Sequence, residues 1–192
     1  MRPLAFDRKD ALNKATDLFW SKGFEATSVD DLCGAMGIAR SSFYNSFGSK
    51  QDLLAESMTD YARNTERTLT ELFDTVRPVQ AALRTFLERM VDAAQDPGSC
   101  RGCLIGNMAA ELTPRGEAQR KLVAERARIV EAAMQAGLEA GVARGELAAD
   151  TSPEALARYV FATAQAIQLM SKLRPDRAAL TDVIDTAMSA IR

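Results

Sequence analysis

The sequence contains no histidine. That absence excludes a Ser-His-Asp triad, a Cys-His nucleophile pair and any zinc or iron site with an imidazole ligand. Cysteine is scarce, and Cys33, Cys100 and Cys103 are too few for a secreted disulfide framework. Glycine (11) and proline (6) are low, which favours long helices over a turn-rich sheet. No run approaches the roughly 18–20 apolar residues of a membrane span. The opening Met1-Arg2-Pro3-Leu4-Ala5-Phe6-Asp7 lacks the apolar core of a signal peptide. These absences predict a soluble cytoplasmic protein with no membrane partner. There is no phosphate-cradling glycine loop and no nucleophile elbow. The Glu-x-x-His pairs of a di-metal helical bundle are impossible without histidine. No catalytic residue, metal or cofactor is therefore expected.

What remains is ordinary globular material. The 192 residues are 47% hydrophobic and 26% charged, with a net charge of -2, enough chain to bury a core without a metal or disulfide staple. Apolar residues recur at steps of three and four almost throughout, so the expected fold class is all-α. Residues 8–22 carry a stripe of Ala11, Leu12, Ala15, Leu18 and Phe19, stopped by Gly23. Ser28 with Asp31 forms a capping box that opens a short helix ending at Gly37. A third helix runs from about 39 to 47. Ser49 with Asp52 forms a second capping box, starting a helix that reaches about residue 75. Further helices are predicted over about 78–94, 102–112 and 117–143. Ser152 and Pro153 then open one over 152–173, and Asp176 caps one over 176–191. That makes nine helices. The helix after Ser152 is apolar on most sides, including Leu156, Tyr159, Val160, Phe161, Ala164, Ala166, Ile167 and Met170. One face can be buried within its own subunit, and the other is expected to meet a second copy.

Residues 27–54 read as a helix-turn-helix, with a short helix, a tight turn at Gly37 and a second helix able to enter a major groove. Exposed residues early in that second helix should face base edges, while hydroxyls and helix N-termini hold phosphates. The candidates are Arg40, Ser41, Ser42, Tyr44, Asn45 and Ser46. Phe43 and Phe47 should anchor the helix on a small core with Phe19, Phe24 and Ile38. The block Phe43-Tyr44-Asn45-Ser46-Phe47-Gly48-Ser49-Lys50, behind a Ser-capped helix and a Gly-hydrophobic-small turn, resembles the DNA-binding domain of the TetR family of bacterial transcriptional regulators. The resemblance implies that Ser28 touches phosphate. Arg40, Ser41, Ser42 and Asn45 would read bases or nearby phosphates, with Tyr44 and Lys50 clamping the backbone. Many family members carry a histidine where this chain has Ser46. Residues 1–55 hold seven basic and seven acidic side chains, so overall charge does not predict nucleic acid; locally, residues 37–51 contain Arg40 and Lys50 and no acid.

The resemblance implies two domains: DNA binding over 1–50, and effector binding with dimerisation over 51–192. The partners would be a palindromic double-stranded operator, a small-molecule effector, and a second copy docked through the helices at about 152–173 and 176–191. Candidate pocket residues are Phe86, Met90, Leu104, Asn107, Met108, Met134, Phe161, Gln165 and Gln168. Cys100-Arg101-Gly102-Cys103 has CxxC spacing, but a zinc site would need two more soft ligands and a thioredoxin site would need strands. The run after Gly102 resembles a Gly-Cys-Leu block of one branch of the family, some members of which respond to electrophiles. The expected function is a ligand-responsive repressor. Two alternatives are a redox or electrophile sensor using Cys103 with Cys100, and a helical interaction module that has lost DNA binding.

Overall fold

Most of the helices begin where a side-chain oxygen can take up the first unpaired amides. The computed structural model describes residues 6–95 and 101–191. Among these it contains α1 (Arg8–Lys22), α2 (Val29–Met36), α3 (Arg40–Phe47), α4 (Lys50–Thr75), α5 (Val79–Gln95), α6 (Leu104–Leu112), α7 (Glu117–Ala143), α8 (Pro153–Leu173) and α9 (Arg177–Ser189). One 3-10 turn, Thr113–Arg115, follows α6, and no strand occurs among the described residues. Asp7 accepts from the amides of Lys9 and Asp10 at 2.8 and 3.1 Å. Ser152 accepts from Ala155 at 3.3 Å, with Pro153 in the first turn of α8, and Asp176 accepts from Ala178 at 3.0 Å.

Two local expectations are corrected. Ser49 does cap the Asp52 amide at 3.1 Å, but the reciprocal half of the box is missing. The Ser49 amide is taken by the Phe47 carbonyl, so the Asp52 carboxylate accepts from the Ser49 hydroxyl instead, at 2.6 Å. The helix expected from residue 102 begins at Leu104, because Gly102 sits at φ 71°, left-handed backbone that a right-handed helix cannot include.

The chain forms two compact units. The first unit combines the chain up to Tyr61 with Leu104–Arg126, and the second combines residues 62–103 with the chain after Arg126. In the first, α1 packs on α2 and α2 on α3. Phe19, Leu32, Phe43, Leu53, Leu54 and Met58 lose essentially all contact with water, each contributing about 1.5–3 kcal/mol of transfer free energy. In the second, α5 packs against α8 and α9, and α8 against α9. Leu83, Leu87, Ile167 and Ile184 fill that interior.

Two glycines make opposite predictions about stability. A Cβ on Gly137 of α7 would lie 2.2–2.5 Å from three ring atoms of buried Phe73. Gly137→Ala is expected to destabilise by about 1–2 kcal/mol net, overpacking outweighing the gain in helix propensity. Gly34 of α2 has nothing within 4 Å of such a Cβ, so Gly34→Ala should stabilise by about 0.5–1 kcal/mol. Chemical denaturation of both variants checks the pair, and equal shifts would contradict the packing argument.

Candidate nucleic-acid interface

The helix-turn-helix is assembled from strong local signals. Ser28 accepts from the Asp31 amide at 3.0 Å, while the Asp31 carboxylate accepts from the Ser28 amide at 2.9 Å and from Lys22 Nζ at 2.6 Å. Lys22 above all, and then the Ser28 donors, hold the Asp31 carboxyl well below its ordinary range. The box is therefore intact above about pH 4, the ordinary carboxylate pKa, and its contribution is lost only as pH falls through the lowered value. Gly37 ends α2 at φ 69° and ψ 35°, where its amide reaches back to the last turn. After two intervening residues, α3 begins at Arg40.

Periodicity divides the eight residues of α3 into an inner and an outer face. Phe43 and Phe47 are buried, 6.1 Å apart between ring centroids. Arg40, Ser41, Tyr44 and Asn45 are exposed, Tyr44 by 51%, while Ser42 and Ser46 are half-buried. Ala39 stands at the N-cap without a side-chain oxygen to accept from the first amides. These donors and the positive end of the helix are left to another acceptor. Ser28 is likewise exposed at the start of α2.

Several charged side chains carry contacts that no sequence pattern announced. Arg40 is forked on Asp30 of α2, with Nε 2.7 Å from Oδ1 and Nη2 2.8 Å from Oδ2. Arg8 of α1 donates to the Ser46 carbonyl at 3.3 Å, pairs with Glu56 and lies 4.7 Å over the Phe47 ring. Lys50 donates to the Phe24 and Thr27 carbonyls at 2.9 and 2.8 Å. Glu111 of α6 accepts from the Phe24 and Glu25 amides at 3.1 and 2.7 Å. The partners of Lys50 and Glu111 lie 23–26 and 86–87 positions away and are backbone atoms, which leave no trace in residue type.

The pocket candidates fall into two groups. Leu104, Asn107 and Met108 lie on α6 in the first unit. Phe86, Met90, Met134, Phe161, Gln165 and Gln168 lie in the second. There Gln168 Nε2 approaches Met90 Sδ at 3.4 Å, joining α8 to α5. Gln168 Oε1 is buried and accepts no hydrogen bond from the described residues. Cys103 is buried just before α6 rather than within its first turn; Cys100 lies outside the described residues. No group of histidine, cysteine or acidic side chains among the described residues is arranged to hold a metal, and no described helix is long and apolar enough to cross a membrane.

A capped helix, a left-handed glycine turn and a second helix presenting arginine, hydroxyls and tyrosine outward define a helix-turn-helix DNA-binding protein. Residues 11–57 match the model of the bacterial regulatory proteins, tetR family, and residues 80–187 match the tetracyclin repressor-like C-terminal domain. The chain belongs to the TetR family and is a DNA-binding transcriptional regulator. It is 30% identical over 187 residues to the uncharacterized HTH-type transcriptional regulator YezE of Bacillus subtilis, covering 97% of this chain and 96% of that one. It is 26% identical to the HTH-type transcriptional repressor DhaR of Mycobacterium sp. strain GP1, covering 96% and 91% of the two chains. Among solved structures, a cysteine-substituted form of the TetR family regulator CifR, complexed with 26-bp double-strand operator DNA, superposes with a TM-score of 0.86. That pair is 32% identical over 98% of this chain and 99% of the other.

Proposed function

We propose that this regulator is a cytoplasmic, non-enzymatic repressor that binds a palindromic operator as a homodimer and leaves it when a small molecule binds. The observation that carries the reading is the outer face of α3, where Arg40, Ser41, Tyr44 and Asn45 are exposed beside an uncapped N-terminus. In a two-fold dimer the two α3 helices enter successive major grooves about 34–36 Å apart. Ser28, Ser41, Ser42, Tyr44 and the first amides of α3 hold phosphates, while Arg40 and Asn45 reach base edges and Ser46 lies against the flank. Neutral donors carry much of this contact, so the salt dependence is modest. The naming of DhaR as an HTH-type transcriptional repressor and the operator complex of CifR support the assignment.

The effector belongs to the second unit. A buried acceptor at Gln168 Oε1, with Met90, Phe86, Met134, Phe161 and Gln165 in the same unit, suits an apolar molecule with one hydrogen-bond donor. Burial of Cys103 disfavours direct attack by its thiol on a dissolved electrophile.

Arg40 supplies the test. Asp30 takes the Nε hydrogen and one of the two on Nη2, which leaves the other Nη2 hydrogen and Nη1 to reach a base. Operators selected by the wild type from a randomised duplex pool should be bound more weakly by Arg40→Ala, with about 1–3 kcal/mol of discrimination lost at one or two base pairs. An Arg40→Ala protein with unchanged base preference would remove Arg40 from the reading set.

A further inference from the structure

The turn between α1 and α2 is held from two sides by side chains distant in sequence. On one side, the Glu111 carboxylate accepts from the amides of both Phe24 and Glu25, at 3.1 and 2.7 Å, and Arg115 pairs with Glu25 while donating to the Glu111 carbonyl at 3.2 Å. On the other, Lys50 Nζ donates to the carbonyls of Phe24 and Thr27 and lies 4.1 Å over the Phe24 ring. Phe24 is thus fixed through its amide, its carbonyl and its ring. Thr27 is fully buried, and its hydroxyl closes the turn on the Gly23 carbonyl at 2.6 Å. The next residue is Ser28, the cap of α2. The glycine at 23 belongs to the same arrangement, since a Cβ there would meet Glu111 Oε2 at 3.0 Å and φ is 86°.

An ammonium group has three donors, and two from Lys50 are spent on protein carbonyls. We propose that Lys50 and Glu111 are positioning residues for operator binding, pinning the 23–27 turn so that Ser28 and the start of α2 meet the DNA backbone in register. The inference rests on the DNA-binding reading and adds to it the turn through which both residues work. It makes an unusual sign prediction. Removing the negative charge of Glu111 would, by electrostatics alone, leave DNA affinity unchanged or raise it. Loss of the turn's anchor lowers it.

The experiment measures affinity for a duplex selected by the wild-type protein from a randomised pool, with thermal unfolding followed in parallel. Lys50→Met keeps the stem and removes the donors. It is expected to bind about tenfold more weakly. Glu111→Gln is expected to bind about fivefold more weakly, the loss of charge-assisted hydrogen bonds to the turn. The double variant should lose less than the product of the two, because both groups hold one turn. An unchanged or raised affinity in Glu111→Gln, or fully multiplicative losses, would each overturn the inference. Glu111→Gln preserves size and carries the test alone if Lys50→Met does not fold. A wild-type protein that selects no duplex at all overturns the DNA-binding reading, and this inference with it.

Discussion

Replacing Leu169 and Leu173 together with glutamate is expected to yield a monomer that binds its operator at least about a hundredfold more weakly. Both leucines lie on α8 with Tyr159 and Met170, and all four are exposed in the isolated chain, Leu173 by 72% and Leu169 by 59%. At 100° per residue these positions fall within about a third of the helix circumference. They form one apolar stripe of the kind that marks an interaction surface. A second copy supplies the simplest cover, because a two-fold axis sets the stripe against itself. Two carboxylates within such a contact would be desolvated without partners. Loss of the dimer then separates the two half-site contacts, and a linked second contact is worth on the order of 10²–10⁴ in avidity. Sedimentation analysis and operator titration give the two readouts. A double variant that remains dimeric would move the interface away from α8.

The second large effect lies within α3, where neighbouring aromatic residues have opposite fates. Phe43 is fully buried, and its ring packs against Phe47. Phe43→Ala should cost about 3–5 kcal/mol, transfer and cavity together, a large part of the 5–15 kcal/mol that holds a typical protein folded. The first unit is expected to lose its cooperative transition and operator binding to disappear. Tyr44 points the other way and is half exposed, with only a ring edge against Phe43 at 5.2 Å. Tyr44→Ala should leave stability within about 0.5 kcal/mol. Affinity should fall about tenfold on all sequences alike, as the loss of a phosphate contact does. The salt slope should not change, because the hydroxyl is neutral. Calorimetry on both variants separates the cases, and a Tyr44→Ala protein that melts like Phe43→Ala would place Tyr44 in the core.

The contrast explains which parts of the molecule were legible. Caps work through neighbours, so Ser28 with Asp31, Ser152 with Pro153, and Asp176 announced their helices in sequence. The two faces of α3 follow from 3.6-residue periodicity and a pair of phenylalanines four apart. The Ser49 box was only half legible, since the competing Phe47 carbonyl is invisible in residue type. Arg40 was legible as an exposed cation but not as the partner of Asp30, because a bidentate pair ten positions apart depends on how α2 and α3 pack. Glu111 left no signal. It reads as one acid among 26 on a short helix, and only the folded chain brings its carboxylate to two amides.

The first compact unit takes its members from two stretches of chain, one ending at Tyr61 and the other starting at Leu104. Anchors of the turn between α1 and α2 therefore lie far beyond the first fifty residues. A fragment cut after the helix-turn-helix, or a chimera that exchanges only the first fifty residues between relatives, would strand the amides of Phe24 and Glu25 and the carboxylate of Glu25 without Glu111 and Arg115. During synthesis, too, this unit waits. Its first three helices emerge from the ribosome well before the residues that complete them, and a loop of more than forty intervening positions must close before the turn is anchored. The same wiring couples the two stretches, because any change in the turn before α2 bears on Glu111 and Arg115 of the later one.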